Sequence, residues 1–465
     1  MFVVALAVLL NPVDDTPAWP GFLGVNASKV DSTSIPTEWS PEKNIAWVRP
    51  IKGHGQSTPV IFGDRIFVTS CDGPNKEALI VACMDLGAGK IVWAKEQKST
   101  NPERNSVYIS RAAPTPVVDD KHVFAYFESG DVYAYTHAGE LAWKMSLTEK
   151  YAKPMNVFGV SASPVQTDDH IIILIDDEKS RQGAGPPEAA DREGEAKSYI
   201  VALKKSDGSV AWKTDRTNRQ SWSSPAIVPV DGEPIVVCSS AGSVDGYSPK
   251  DGKLLFSFTE VGGNTATTPI PVADGQFLVA ASPGRGADSE RADLAKRSNG
   301  LMKITKSGDK YEAKFVWTNE KVSPSFGSPI LHEGLAYWVN RAGAVFCVDA
   351  SNGKLAYQAR LESAWSTPIG IGDRIYFFAQ KKGITSVVAT GPKFERLARN
   401  ELWKDEPADD SLKSAAAETG ERAAAASRFS GQTTYGAAVV SGSLVIRTGN
   451  MLYCIRKDAK PTGGQ

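Results

Sequence analysis

A short apolar phrase ending in a bulky ring recurs along the chain. It reads Lys90-Ile-Val-Trp93, Glu140-Leu-Ala-Trp143, Ser209-Val-Ala-Trp212, Lys253-Leu-Leu-Phe256, Lys314-Phe-Val-Trp317 and Lys354-Leu-Ala-Tyr357. A further copy, Asn44-Ile-Ala-Trp47, stands near the N-terminus with no repeat body in front of it. The phrase closes a unit of fixed grammar. Each unit opens on Ser/Thr-Pro, runs through three short apolar segments and reaches a Gly-containing turn before the ring. The openings are Thr58-Pro59, Thr115-Pro116, Ser163-Pro164, Ser224-Pro225, Thr268-Pro269, Ser328-Pro329 and Thr367-Pro368, with a degenerate last unit near Tyr435. Asp207-Gly208, Asp251-Gly252 and Asn352-Gly353 supply hairpin turns that need positive φ. Proline at a strand start removes little ladder donation.

Four short antiparallel strands repeated at roughly 40–70 residues describe a β-propeller. The fold class is therefore all-β, an eight-bladed propeller of four-stranded antiparallel blades. A count of seven is the alternative, because the fifth and seventh units are irregular. The seventh outer strand reads weakly as Lys393-Phe-Glu-Arg-Leu397. The eighth unit ends at Met451-Leu-Tyr-Cys-Ile455 with no fourth strand of its own. Asn44-Ile-Ala-Trp47 can supply it, so one blade is expected to join both chain ends and leave no open edge. Each ring is expected to pack on a neighbouring blade and to serve structure, not function.

A chain of 465 residues with 42% apolar content and 41 glycines suits such an array. Its net charge of −1 argues against nucleic acid or an anionic membrane as the main partner. Cys83, Cys347 and Cys454 occupy look-alike phrases and read as small buried strand residues. Cys71 and Cys238 lie at strand ends. No pattern of the five cysteines and five histidines has metal-ligand spacing. Residues 2–10 are apolar but too short to span a bilayer. They resemble the h-region of a secretory signal without its basic flank. The domain reading is a signal peptide and leader over 1–18, then one propeller over 19–460. Insertions fall at 176–198, 283–298 and 405–428; the last has a helix-favouring composition.

The phrases Ser57-Thr-Pro-Val-Ile-Phe-Gly-Asp-Arg-Ile-Phe-Val-Thr-Ser70 and Cys347-Val-Asp-Ala-Ser-Asn-Gly-Lys-Leu355 resemble PQQ-binding-like, quinoprotein-type repeats. The stretch Trp19-Pro-Gly-Phe-Leu-Gly24, Pro36-Thr-Glu-Trp39 and Asn44-Ile-Ala-Trp47 resembles bacterial secreted propellers of that family. More distantly, the chain is similar to BamB-type outer-membrane assembly factors. The likeness covers about Trp19 to Ile455. It implies the fold firmly and the function weakly, because one propeller serves enzymes and scaffolds alike. For the PQQ-dependent alcohol dehydrogenases it implies a vicinal Cys-Cys disulfide, a calcium held by Glu, Asn and Asp, and an Asp base. No adjacent cysteines occur here. Serines before proline are repeat grammar and not a nucleophile elbow. No catalytic residue and no metal ligand is assigned, and no cofactor is expected; PQQ remains conceivable without cofactor-site motifs.

Loops entering the inner strands converge on one channel mouth. Rings and cations on them form a candidate collar: Tyr108, Arg111, Phe158, Arg219, Trp222, Phe326, Trp365 and Tyr435. Such a collar either grips a peptide, sugar or planar cofactor or simply plugs the channel top. The expectation is an exported, periplasmic or secreted, monomeric scaffold. It binds a protein or another envelope component and has no transmembrane segment after the signal-like run. The alternative is a quinoprotein dehydrogenase using PQQ in the same mouth.

Overall fold

The computed structural model describes residues 16–25, 27–30, 34–104, 110–154, 156, 158–178, 197–283, 288–408 and 431–460. Within them each ring phrase forms the fourth strand of an antiparallel sheet. Its ring stands opposite a small residue on the third strand. Trp93 faces Cys83, Trp143 faces Ala134, Trp212 faces Ala202, Phe256 faces Gly246 and Tyr357 faces Cys347. In each case the register shifts beside that pair, and the extra residue bends the outer strand. Trp317 differs in facing Leu301. The look-alike cysteines are therefore the small residues that leave space under a ring. All five cysteines are buried and free.

Eight such sheets form the eight-bladed propeller. Seven blades are continuous in sequence, over residues 60–98, 117–146, 165–216, 226–258, 270–318, 330–360 and 369–401. The count of eight displaces the seven-blade alternative. One local expectation shifts: the seventh outer strand is Arg396–Glu401, and Ala398 takes the ring position opposite Val387. Phe394 stays in the preceding turn, its ring 5.8 Å from that of Tyr357. Two helices occur among the described residues, Leu147–Lys150 and Ser289–Lys296. The second lies in the 283–298 insertion and is capped by Asp288, whose side chain accepts the Arg291 N–H. Most of the 176–198 and 405–428 insertions lie outside the described residues.

The rings also explain how blades adhere. Each indole N–H reaches the turn before the next blade's outer strand. Trp47 Nε1 donates to Leu86 O (3.0 Å), Trp93 to His137 O (2.9 Å) and Trp143 to Lys205 O (2.8 Å). Trp212 donates to Pro249 O (2.9 Å) and Trp317 to Ala350 O (2.8 Å). The turn glycine lies against the same ring. Gly89 has φ +67°, and a Cβ there would sit 2.6 Å from the Trp47 ring; at Gly252, φ +72°, the distance to Trp212 would be 2.4 Å. Hairpin geometry and close ring approach thus demand glycine together. Truncating such a ring costs about 3–5 kcal/mol.

The Ser/Thr-Pro phrase has a parallel role at the channel wall. Thr58 N–H donates to Thr115 Oγ1 (2.9 Å), Thr115 N–H to Ser163 Oγ (3.0 Å) and Ser163 N–H to Ser224 Oγ (2.8 Å). Ser224 N–H continues to Thr268 Oγ1 (3.1 Å), Thr268 N–H to Ser328 Oγ (3.0 Å) and Ser328 N–H to Thr367 Oγ1 (3.1 Å). The hydroxyl relay links seven blades edge to edge. It needs an N–H and a hydroxyl from one residue, which Ser or Thr supplies. The eighth blade has Thr434-Tyr435-Gly436 instead, and Tyr435 N–H turns to Arg447 O (3.0 Å).

Two features close the ring. Ile45–Pro50 pairs antiparallel with Met451–Ile455, Trp47 facing Cys454, as the orphan phrase predicts. Asn44 locks the join: its carbonyl accepts the Arg456 N–H (3.0 Å) and its Oδ1 the Asp458 N–H (2.9 Å). The second feature carries no repeat signal. Ala18–Trp19 pairs with the inner strand of blade 1, Trp19 opposite Ile61, and Lys29–Val30 pairs in parallel with the inner strand of blade 7. Between them Pro20 O accepts the Val118 N–H of blade 2, and Leu23 and Ala27 pack on the core around Ile270 and Leu278. This leader crosses the channel at the end remote from the Ser/Thr-Pro mouth. Ala18 is thus part of the propeller fabric.

Candidate functional site: the channel mouth

Eight inward loops meet at the mouth because all inner strands leave it in the same direction. Buried polar side chains hold the loops. His54 exchanges backbone hydrogen bonds with Cys71 (both 2.9 Å). Asn156 Nδ2 donates to Asp176 O (3.3 Å) and Ser221 O (3.1 Å), and Asn264 Nδ2 to Ser239 Oγ (2.9 Å) and Ser243 O (2.8 Å). Each satisfied amide fixes two strands' ends at once.

The predicted collar resolves into ring pairs. Phe158 and Trp222 lie 5.7 Å apart at 48°, and Phe326 and Trp365 lie 5.4 Å apart at 62°. Phe158 and Phe326 are exposed, at 39% and 47%. Trp222 Nε1 donates to Gly159 O (3.2 Å), which fixes its indole over the adjoining blade. The third pair is His54 with Tyr435, 5.8 Å apart and nearly perpendicular. The Tyr435 hydroxyl also approaches Gln56 Nε2 and His54 Nε2, both at 3.4 Å. Tyr108 lies outside the described residues.

The two predicted cations part company. Arg219 points into blade 4, bonded to Ser243 Oγ and 3.8 Å from Asp245. Arg111 is buried; its backbone N–H donates to Gln56 Oε1 (3.0 Å), while its Nε and Nη1 have no hydrogen-bond partner. Sequence reasoning missed Arg447, a fully buried guanidinium at the end of the apolar strand Ser443–Arg447. It donates to Ser57 Oγ (2.5 Å), Ser57 O (3.3 Å) and Thr69 O (2.6 Å). Burial pushes its pKa down to about 9, opposed by Tyr435 and Cys71. A charged residue ending an otherwise apolar strand was the available signal. Cys71 lies within electrostatic reach of Arg111 as well, and burial pushes its thiol up to about 12. Such a thiol is an inert core group.

Four carboxylates near the mouth, Glu128, Asp176, Asp245 and Glu362, are engaged by groups of the chain itself. Glu128 accepts the Ala112 N–H with both oxygens and pairs with Lys76 at 3.2 Å. Asp176 and Asp245 face Arg216 at 2.9 and 3.3 Å. Glu362 binds Ser386 Oγ (2.7 Å) and Arg399 (2.9 Å). Among the described residues no three His, Cys, Asp or Glu side chains come together to hold a metal ion.

The family described as "Outer membrane protein assembly factor BamB" matches residues 37–175, 78–292 and 309–452. No curated protein matches the chain. Among solved structures, BamB from Moraxella catarrhalis superposes with a TM-score of 0.54 at 11% identity, covering 90% of this chain and 98% of that one. The quinohemoprotein alcohol dehydrogenase from Comamonas testosteroni gives 0.56 at 12% identity, covering 97% and 82%. At these identities the likeness is one of fold, and that fold carries both names. The matched segments run through most of the chain, which belongs to the PQQ-like β-propeller repeat family described as outer membrane protein assembly factor BamB.

Proposed function

We propose that this chain is a non-catalytic, exported propeller that binds another protein, or another component of the cell envelope, through its channel mouth. The observation that carries the reading is the pair of exposed ring clusters, Phe158–Trp222 and Phe326–Trp365, on the rim. Apolar rings held by a rigid scaffold on one face are the usual anchors of a protein contact. The leader across the far end leaves the mouth as the functional face. The engaged carboxylates speak against the quinoprotein alternative. The family's description, and the BamB structure of matching length, support an envelope role.

A pull-down from envelope extract tests the reading. The expected result is a saturable partner captured by the full chain and lost, by tenfold or more, in Trp222→Ala/Trp365→Ala. Undiminished capture by the double variant rejects the mouth as the contact surface. A parallel titration with PQQ and calcium, followed by absorbance and dye reduction with alcohols, decides the alternative. Saturable binding with turnover overturns the scaffold reading.

A further inference from the structure

The two ring pairs of the mouth sit in different electrostatic settings. Beside Phe158 and Trp222 the tip of blade 4 is the uncharged Ala241-Gly242, and Arg219 is held by Ser243 and faces Asp245. Phe326 and Trp365 stand on the loops entering blades 6 and 7, where both flanking hairpin tips are cationic. The tip of blade 6 is bonded to both loops. Arg341 N–H donates to Ser325 Oγ (3.2 Å), Asn340 Nδ2 to Ser323 O (3.0 Å), and Ser363 Oγ to Arg341 O. The tip of blade 7 carries Lys381 and Lys382. It joins the same surface through Gln380 N–H, which donates to Ser363 O (2.7 Å), and through a bridge between Ala379 and Ala364. Arg341 and Lys382 are exposed, and neither has an ion-pair partner among the described residues. The described carboxylates of these loops are directed elsewhere or matched. Glu362 turns to Ser386 Oγ (2.7 Å) and Arg399 (2.9 Å). Glu406 accepts the Gln432 N–H close to Lys381, whose Nζ donates to Thr433 Oγ1 (2.8 Å). Asp405 acts on Lys404, and Glu320 adjoins Lys321.

We infer that the rim of blades 6 and 7 takes an acidic peptide segment of a partner protein. An apolar side chain of the segment seats on Phe326 and Trp365, and Arg341 and Lys382 meet the carboxylates that flank it. The inference rests on the reading of the mouth as a protein contact and names the chemistry of the partner. The rings supply the apolar anchor, with Phe326 47% exposed and Trp365 half-buried. The cations select among apolar segments, because like charge is repelled and opposite charge is steered in. Two such cations are too few for an anionic lipid surface, which is met by clusters of about 4–8 basic residues.

The test selects peptides from a random-sequence display library on the immobilised full chain. The selected peptides are then synthesised and their binding is measured by fluorescence anisotropy. The expected sequences place Leu, Phe or Trp beside Asp or Glu. Their affinity should fall about tenfold or more in Arg341→Glu/Lys382→Glu and in Trp365→Ala, and should weaken as salt rises. Arg341→Lys/Lys382→Arg, which keeps both charges, should bind within about threefold of wild type. Neutral or basic sequences, equal binding to the charge-reversed variant, or no selected peptide at all overturns the acidic site. Should the charge-reversed variant fail to fold, the salt series on wild type decides, and an affinity that salt leaves unmoved overturns the site. Flotation with phosphatidylglycerol vesicles is the companion measurement. Binding to them that Arg341→Glu/Lys382→Glu abolishes would reassign the surface to lipid and overturn the peptide. Neutral peptides that need Trp365 but not the cations would remove the acidic assignment and leave the protein contact standing. No selected peptide, together with an unchanged pull-down by Trp222→Ala/Trp365→Ala, would remove both.

Discussion

Two blade seams carry a buried arginine and treat it in opposite ways. Between blades 3 and 4, Arg216 reaches Asp176 at 2.9 Å, Tyr247 at 2.6 Å and Ser240 at 2.9 Å. Burial works against its charge, but Asp176, Tyr247 and Asp245 lift its pKa above the ordinary guanidinium value. Where blade 8 meets blade 1, Arg447 has three neutral acceptor contacts and a depressed pKa. The first seam is continuous in sequence, and its charges are complete within the chain. The second joins the chain ends. It is held by strand pairing, by Trp47 and by the Asn44 lock. Apolar and backbone forces close the ring there, and its arginine is held by neutral oxygens alone.

Removing residues 44–50 is the harshest way to break that comparison. It strips blade 8 of its outer strand and uncovers a core that includes Tyr453, Cys454 and Ile455. The loss of Ile45 and Trp47 packing alone is worth about 5–10 kcal/mol, comparable with the whole stability of a domain. The expected outcome is a chain that no longer unfolds as one transition near the wild-type Tm. An unchanged melting curve would show that the eighth blade does not depend on the N-terminal strand.

The arginines themselves give a smaller and more selective test. Arg216→Met leaves Asp176 buried without its cation and Asp245 with Arg219 alone, at 3.8 Å, which costs about 3–5 kcal/mol. Arg447→Met removes an unbalanced charge along with its neutral hydrogen bonds, and opposing terms hold the change to about 1–2 kcal/mol. Denaturant midpoints at equal m-value measure both. Equal losses at the two positions would erase the distinction between the seams.

What the sequence disclosed and concealed follows the same division. Ring phrases, Ser/Thr-Pro openings and the orphan Asn44-Ile-Ala-Trp47 were legible because every seam needs the same ring, carbonyl and hydroxyl in the same place. The seventh outer strand was misplaced because Ala398 carries no ring to mark it. The leader was invisible as structure because Ala18–Trp19 and Lys29–Val30 are two-residue strands with no periodicity. At the mouth, the sequence offered single rings, whereas Phe158 lies with Trp222 and Phe326 with Trp365 as pairs. Arg219 read as a free cation because Asp245 comes from the next hairpin. Arg447 was missed because its acceptor Ser57 lies 390 residues away.

A finer comparison sets the closure seam against its immediate neighbour. Trp47 donates to the carbonyl of Leu86, and Trp93 donates to that of His137 in the equivalent turn of the next blade. The acceptors match, but the side chains do not. The His137 ring lies 5.4 Å from Phe62 and 5.2 Å from Phe67, and its Nε2 is buried without a partner. Burial holds its pKa below the ordinary 6.5, against the opposing pull of Asp119. As pH falls through 6.5 the unfolded chain takes up the proton first. The contribution of His137 is therefore complete above that pH and declines as pH falls toward the depressed folded value. Acid should loosen the seam of blades 1 and 2 and spare the one closed by Leu86. In His137→Phe the apolar contacts remain and the proton is gone. The gap in Tm between His137→Phe and wild type should widen steadily from pH 7.5 to pH 5. Parallel curves over that range would mean that His137 exchanges its proton equally in both states, and that the two seams respond alike to acid.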